Sequence, residues 1–100
     1  MTRNPYLVSL GKALATLKAV EATLAVVGVQ CDLSKPLRVG RPALRGLLDR
    51  AEDSLPMVPA PPGGSWESAH AMVLETELGA RHKAARASLA SLREIVEALD

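Results

Sequence analysis

From Pro5 onward, apolar residues recur every three or four positions: Leu7, Leu10, Leu14, Leu17, Val20, Leu24 and Val27. That spacing puts side chains on one face of an α-helix, and Lys12, Lys18 and Thr23 fall largely off the stripe. Asn4 is suited to cap the first free amides, and Pro5 has the backbone angle of a first helical residue. Gly28 is a natural stop, so the pattern predicts a helix over 5–27. The β-branched residues Val26, Val27 and Val29 also suit a strand, which leaves the end of this helix open. The stretch 29–40 contains Pro36, which a regular helix does not pass unbroken. It reads as an ordered connection.

A second periodic run opens at Pro42. Leu44, Leu48, Ala51 and Leu55 form its inner stripe with Leu47 beside it, and Pro56 closes it, so a helix is expected over 42–54. Arg41, Arg45, Asp49 and Asp53 repeat on another face at four-residue spacing. A pair between Arg45 and Asp49 along the helix would contribute about 0.2–0.5 kcal/mol.

Residues 57–64, Met-Val-Pro-Ala-Pro-Pro-Gly-Gly, read as an extended connector, because proline favours a semi-rigid path and glycine releases it. Ser65 then offers an N-cap and Glu67 a carboxylate in the first turn. Met72 and Val73 lead into Leu74, Leu78, Ala85, Leu89, Leu92, Val96 and Leu99, and the last five follow a four-three-four-three spacing. A helical pattern thus covers 65–99, with Gly79 as a place where it breaks or bends. Unbroken, this helix would measure about 50 Å against about 35 Å for the first, and its overhang would call for another subunit. The fold class is all-α: a bundle of three or four helices in a single domain spanning 1–100.

Composition sharpens this. Of the 100 residues, 48% are hydrophobic, but there is no Phe, one Trp and one Tyr. Aromatic rings usually supply much of a core's buried area, so these helices must pack closely on small residues or bury surface against a second chain. Self-association is the expectation. The formal charge of +1 excludes a polyelectrolyte, and a single cysteine excludes an internal disulfide. The first residues lack the layout of a signal peptide. The longest weakly charged stretch, 20–31, contains Glu21 and is short of the roughly 20 apolar residues a spanning helix needs. A cytoplasmic protein with no membrane contact is expected.

Candidate chemistry is sparse. Glu67 and His70 have the Glu-x-x-His spacing of carboxylate-bridged metal bundles, but one copy without the other ligands does not make a centre. Cys31 has Lys35 and Arg38 nearby in sequence, which lower a thiol pKa, and Asp32, which opposes them. There is no serine triad and no phosphate-binding glycine loop. The expectation is no enzyme, no cofactor, no metal and no small-molecule substrate.

What remains is surface. The leading expectation is a non-enzymatic protein-interaction module, a small adaptor, inhibitor or structural subunit, docking through Leu89, Leu92, Val96 and Leu99. Trp66 either plugs the core at the helix start or anchors the partner. The alternative is a nucleic-acid-associated subunit. Lys35, Arg38, Arg41, Arg45 and Arg50 form one basic cluster, and Arg81, Lys83 and Arg86 with His82 form another. If the second helix lies beside the middle of the last, Arg38, Arg41, Arg45, Arg81, Lys83 and Arg86 would merge into one phosphate-contacting patch.

Overall fold

Two long helices and one short one account for nearly all of the chain that the computed structural model describes, residues 5–31, 40–60 and 69–99. They are α1 (Pro5–Gln30), α2 (Arg41–Asp53) and α3 (Ala69–Ala98). Among the described residues there is no strand. The expected all-α bundle is therefore present, with three helices.

Neither Gly28 nor Gly79 ends or breaks its helix. α1 continues through Gly28 to Gln30, because its buried face continues: Val27 and Cys31 are both in the core, and the Cys31 amide donates to the Val27 carbonyl at 3.0 Å. α3 is likewise unbroken at Gly79, which sits between the buried Leu78 and Ala85. A helical glycine costs about 1 kcal/mol relative to alanine, and the packing on either side outweighs that. The expected start of this helix at 65–68 lies outside the described residues.

Cross-helix polar contacts fix the directions. Tyr6 meets Glu75 and Glu21 meets Arg81, so α1 and α3 run parallel. Arg45 meets Glu97 while Asp49 and Glu52 meet Arg93, so α2 runs antiparallel to α3. The topology is up-down-up. At 1.5 Å per residue α3 is about 45 Å long and α2 about 20 Å, so α2 covers only the C-terminal half of α3. Pro56 and Pro59 then forbid a continued helix, and residues 54–60 are not helical. The molecule is a rod of 54 × 19 × 18 Å.

The core is one apolar cluster. α1 contributes Tyr6, Leu10, Ala13, Leu17, Val20, Leu24 and Val27, α2 contributes Leu44, Leu48 and Ala51, and α3 contributes Ala71, Leu78, Ala85, Leu89, Leu92 and Val96. The positions in α1 alternate by four and three, the spacing of helices that supercoil together. One detail departs from the sequence reading. Leu7 and Leu14 only flank the core, and Tyr6 and Ala13 hold the inside positions. Small and large residues thus interleave in each stripe, which lets a core without phenylalanine close.

Candidate interaction surfaces

The interface expected on α3 is used inside the chain. Leu89, Leu92 and Val96 are buried in the core and Leu99 packs against its edge. Their four-three spacing is the α3 half of the bundle seam, so docking a partner on them would require the bundle to open. Trp66 lies outside the described residues.

The basic residues separate in the same way. Arg45 does not pair with Asp49. Its fork reaches across to Glu97, with Nε donating to Oε1 at 2.6 Å and Nη2 to Oε2 at 2.7 Å. Asp49 instead accepts from Arg93 Nη2 at 3.0 Å, and Glu52 accepts from the same nitrogen at 2.7 Å. Arg93, which the sequence reading passed over, is the centre of this ladder. No local spacing marks it, because both of its partners lie on α2. These bonds hold the Glu97 carboxyl below its usual range and raise Arg45 and Arg93.

Arg81 turns the other way, onto α1. Its Nε donates to Glu21 at 3.0 Å, its Nη2 also meets Glu21, and its Nη1 donates to Glu77 at 3.0 Å. The Arg81 hydrogen bonds hold Glu21 below the usual carboxylate range. Arg81 and Arg45 therefore serve the two seams of α3 and do not join one patch. Arg38 and Lys35 lie outside the described residues. Arg41 is half-buried at the start of α2, close enough to Glu97 to lower its carboxyl further.

Lys83 and Arg86 are different. Both are exposed, and among the described residues neither has an ion-pair partner. They line a groove of about 610 Å³ with Val58, Gly79, His82 and Ala87. His82 Nε2 lies 3.0 Å from the Pro56 carbonyl oxygen, which only accepts, so Nε2 carries the proton and donates.

The remaining candidates are Glu67 with His70, and Cys31. His70 is exposed, Glu67 lies outside the described residues, and no cluster of metal-ligating side chains occurs among the described residues. Cys31 is buried, and burial pushes its thiol up, away from a reactive thiolate. Tyr6, by contrast, has a clear structural task. Its hydroxyl donates to Glu75 across the α1/α3 seam, and that bond, with burial and the nearby carboxylate, pushes its pKa up to about 12.

The surface that sequence reasoning missed is on α1. Two residues along from the buried stripe runs a second row, Val8, Ala15, Ala19, Ala22, Val26 and Val29, with Gly11 beside it and Lys12 and Lys18 at its edges. It follows the same three-and-four period on the opposite side of the helix. All are exposed except the half-buried Val8, with Val26 at 54% and Val29 at 60% exposure. The only charged residues in α1 are Lys12, Lys18 and Glu21, and an 18-residue window reaches a mean hydropathy of 1.4. The helix is therefore apolar on two faces, and only one of them is used by the bundle. The chain matches no known protein family, no curated protein and no solved structure.

Proposed function

We propose that this chain is a non-enzymatic helical interaction module that assembles through the outward face of α1, with a second copy of itself as occupant. The observation that carries the reading is the second apolar stripe, from Val8 to Val29, standing open on a helix with three charges. A contiguous apolar strip of this length on a soluble surface marks an interaction site.

The stripe is also self-complementary. Its ends are valines and its middle is Gly11, Ala15, Ala19 and Ala22. In an antiparallel two-fold packing the Val8 end of one copy lies against the Val29 end of the other, while the small residues at the centre let the backbones approach. Such an isologous contact needs one surface only. It would also supply the burial that a core poor in aromatic rings leaves wanting.

Light scattering coupled to size exclusion tests this. Wild type should show twice the 10.6 kDa chain mass, and Val26→Glu with Val29→Glu, or Ala22→Arg alone, should give a monomer with unchanged helical circular dichroism. A wild-type chain that stays monomeric at millimolar concentration overturns the reading. So does a monomer that co-sediments with neutral phosphatidylcholine vesicles, which would give the face to a bilayer surface instead.

A further inference from the structure

We infer that the groove between α3 and the segment after α2 is a binding site for a phosphate ester, held by Lys83 and Arg86. It lies on a different surface from the outward face of α1, and either site can fail without the other.

The seam between α2 and α3 sets a pattern of matched charges. Moving from the C-terminus of α3 toward its middle, each cation on the seam meets a carboxylate: Arg45 with Glu97, then Arg93 with Asp49 and Glu52. The ladder stops where α2 stops, at Asp53. The same face of α3 continues, seven residues earlier than Arg93, with Arg86, and beside it comes Lys83. Opposite them the chain offers Val58 and the Pro56 carbonyl, neither of which neutralises a cation. Arg45, Arg81 and Arg93 each hold one or two carboxylates, whereas Lys83 and Arg86 hold none among the described residues.

The place is also concave. Gly79 lacks a side chain to fill it, and a Cβ there would meet nothing within 4 Å. The His82 hydrogen bond to Pro56 ties the connector to α3 and so fixes the opposite wall. The groove has a volume of about 610 Å³ and is largely open to solvent. Lys and Arg three positions apart share one helical face and can hold two oxygens of one phosphate through charge-assisted hydrogen bonds. Val58 and Ala87 supply an apolar wall for whatever the phosphate is esterified to. The shared chemistry is therefore a phosphate with an organic group attached, either a free nucleotide-sized ester or the phosphodiester of a nucleic acid.

The test is amide NMR titration of the full chain with inorganic phosphate, adenosine monophosphate, and a short DNA as single strand and duplex, at about 50 and 200 mM salt. Adenosine monophosphate should shift the amides of Val58, Gly79, Lys83, Arg86 and Ala87 and bind more tightly than inorganic phosphate. The Lys83→Gln, Arg86→Gln variant should bind it roughly tenfold or more weakly, and Val58→Ser should weaken the ester but not inorganic phosphate. Arg50→Gln, an exposed cation elsewhere, should change nothing. Shifts of the same amides by DNA, with a salt dependence reduced in the double variant, identify a nucleic-acid backbone as the source. Shifts by the mononucleotide alone identify a free ester. Unshifted groove amides with every probe at millimolar concentration overturn the inference, as does a double variant that titrates like wild type.

Discussion

α1 and α3 are the two long helices and each gives one face to the common core, yet their opposite faces differ in kind. Away from the core α3 carries Val73, Thr76, Ala80, Lys83, Ala87 and Glu94, a mixed and solvated surface. The same face of α1 is mostly alanine and valine, with Lys12 and Lys18 at its edges. The flanks differ too. α3 uses Arg81 to hold α1 and Arg93 with Glu97 to hold α2, while α1 returns only Glu21 and Tyr6. Charge sets the register of the bundle from α3. α1 is held mostly by burial, and its spare apolar face has no task inside the chain. A helix that is apolar on both sides is expected where both sides are covered.

The largest effect belongs to the face the two helices share. Leu17→Ala on α1 or Leu78→Ala on α3 removes a fully buried side chain, and each should lower unfolding free energy by about 2–5 kcal/mol in urea denaturation. Equal losses from the two helices would confirm that their inner faces are equivalent.

The next test concerns the backbone. Gly79→Ala places a methyl where nothing lies within 4 Å, inside a helix, and should stabilise the chain by about 0.5–1 kcal/mol. Stabilisation confirms that α3 is continuous there in solution. A loss would mean that the chain bends at Gly79.

The ties between helices should matter less, and they can be read through pH. Glu21 and Glu97 titrate below their ordinary value of 4.5 because Arg81 and Arg45 hold the charged forms. Their contribution is present above about 4.5 and is lost as pH falls further. Tyr6 is held neutral by Glu75, so its contribution is present below 10.0 and is lost as pH rises toward about 12. The melting temperature should therefore fall at both ends. Glu21→Gln should flatten part of the acid limb and Tyr6→Phe the alkaline limb. An alkaline limb unchanged in Tyr6→Phe would remove the Tyr6 to Glu75 bond from the account. Arg93→Ala, which frees the half-exposed α2/α3 ladder, should cost no more than about 1 kcal/mol.

The smallest stability effect is expected on the outward face of α1. Val26→Glu should change monomer unfolding by no more than about 0.5 kcal/mol, because the side chain is 54% exposed. A larger loss at low protein concentration would mean that the residue packs within its own chain.

Most of the fold was legible from leucine and valine spacing. α2 followed its stripe through Leu44, Leu48 and Ala51, which have no competing pattern beside them, while Leu55 lies past its end and is half-buried. α1 was ambiguous by one position, since both Leu7 with Leu14 and Tyr6 with Ala13 continue the rows through Leu10 and Leu17. Glycine misled at Gly28 and left continuity open at Gly79, and at both places core residues on either side carry the helix through. The surfaces were less legible. A four-three apolar row such as Leu89, Leu92 and Val96 looks the same whether it faces its own bundle or a partner, and only the placement of α1 and α2 decides. Likewise, proximity in sequence suggested a pair between Arg45 and Asp49, while the antiparallel packing of α2 on α3 gave each a partner more than forty residues away.

The most direct measurement is disulfide trapping of copies. In a Cys31→Ala background, Ala19→Cys, next to the two-fold axis of the antiparallel packing, and the paired Ala15→Cys, Ala22→Cys variant on α1 are compared with Thr76→Cys, Ala80→Cys and Ala87→Cys on α3 under mild oxidation. The account predicts that α1 positions give covalent dimers rapidly and α3 positions do not. Cross-linking that is as fast from α3 as from α1, or absent from α1, would contradict it.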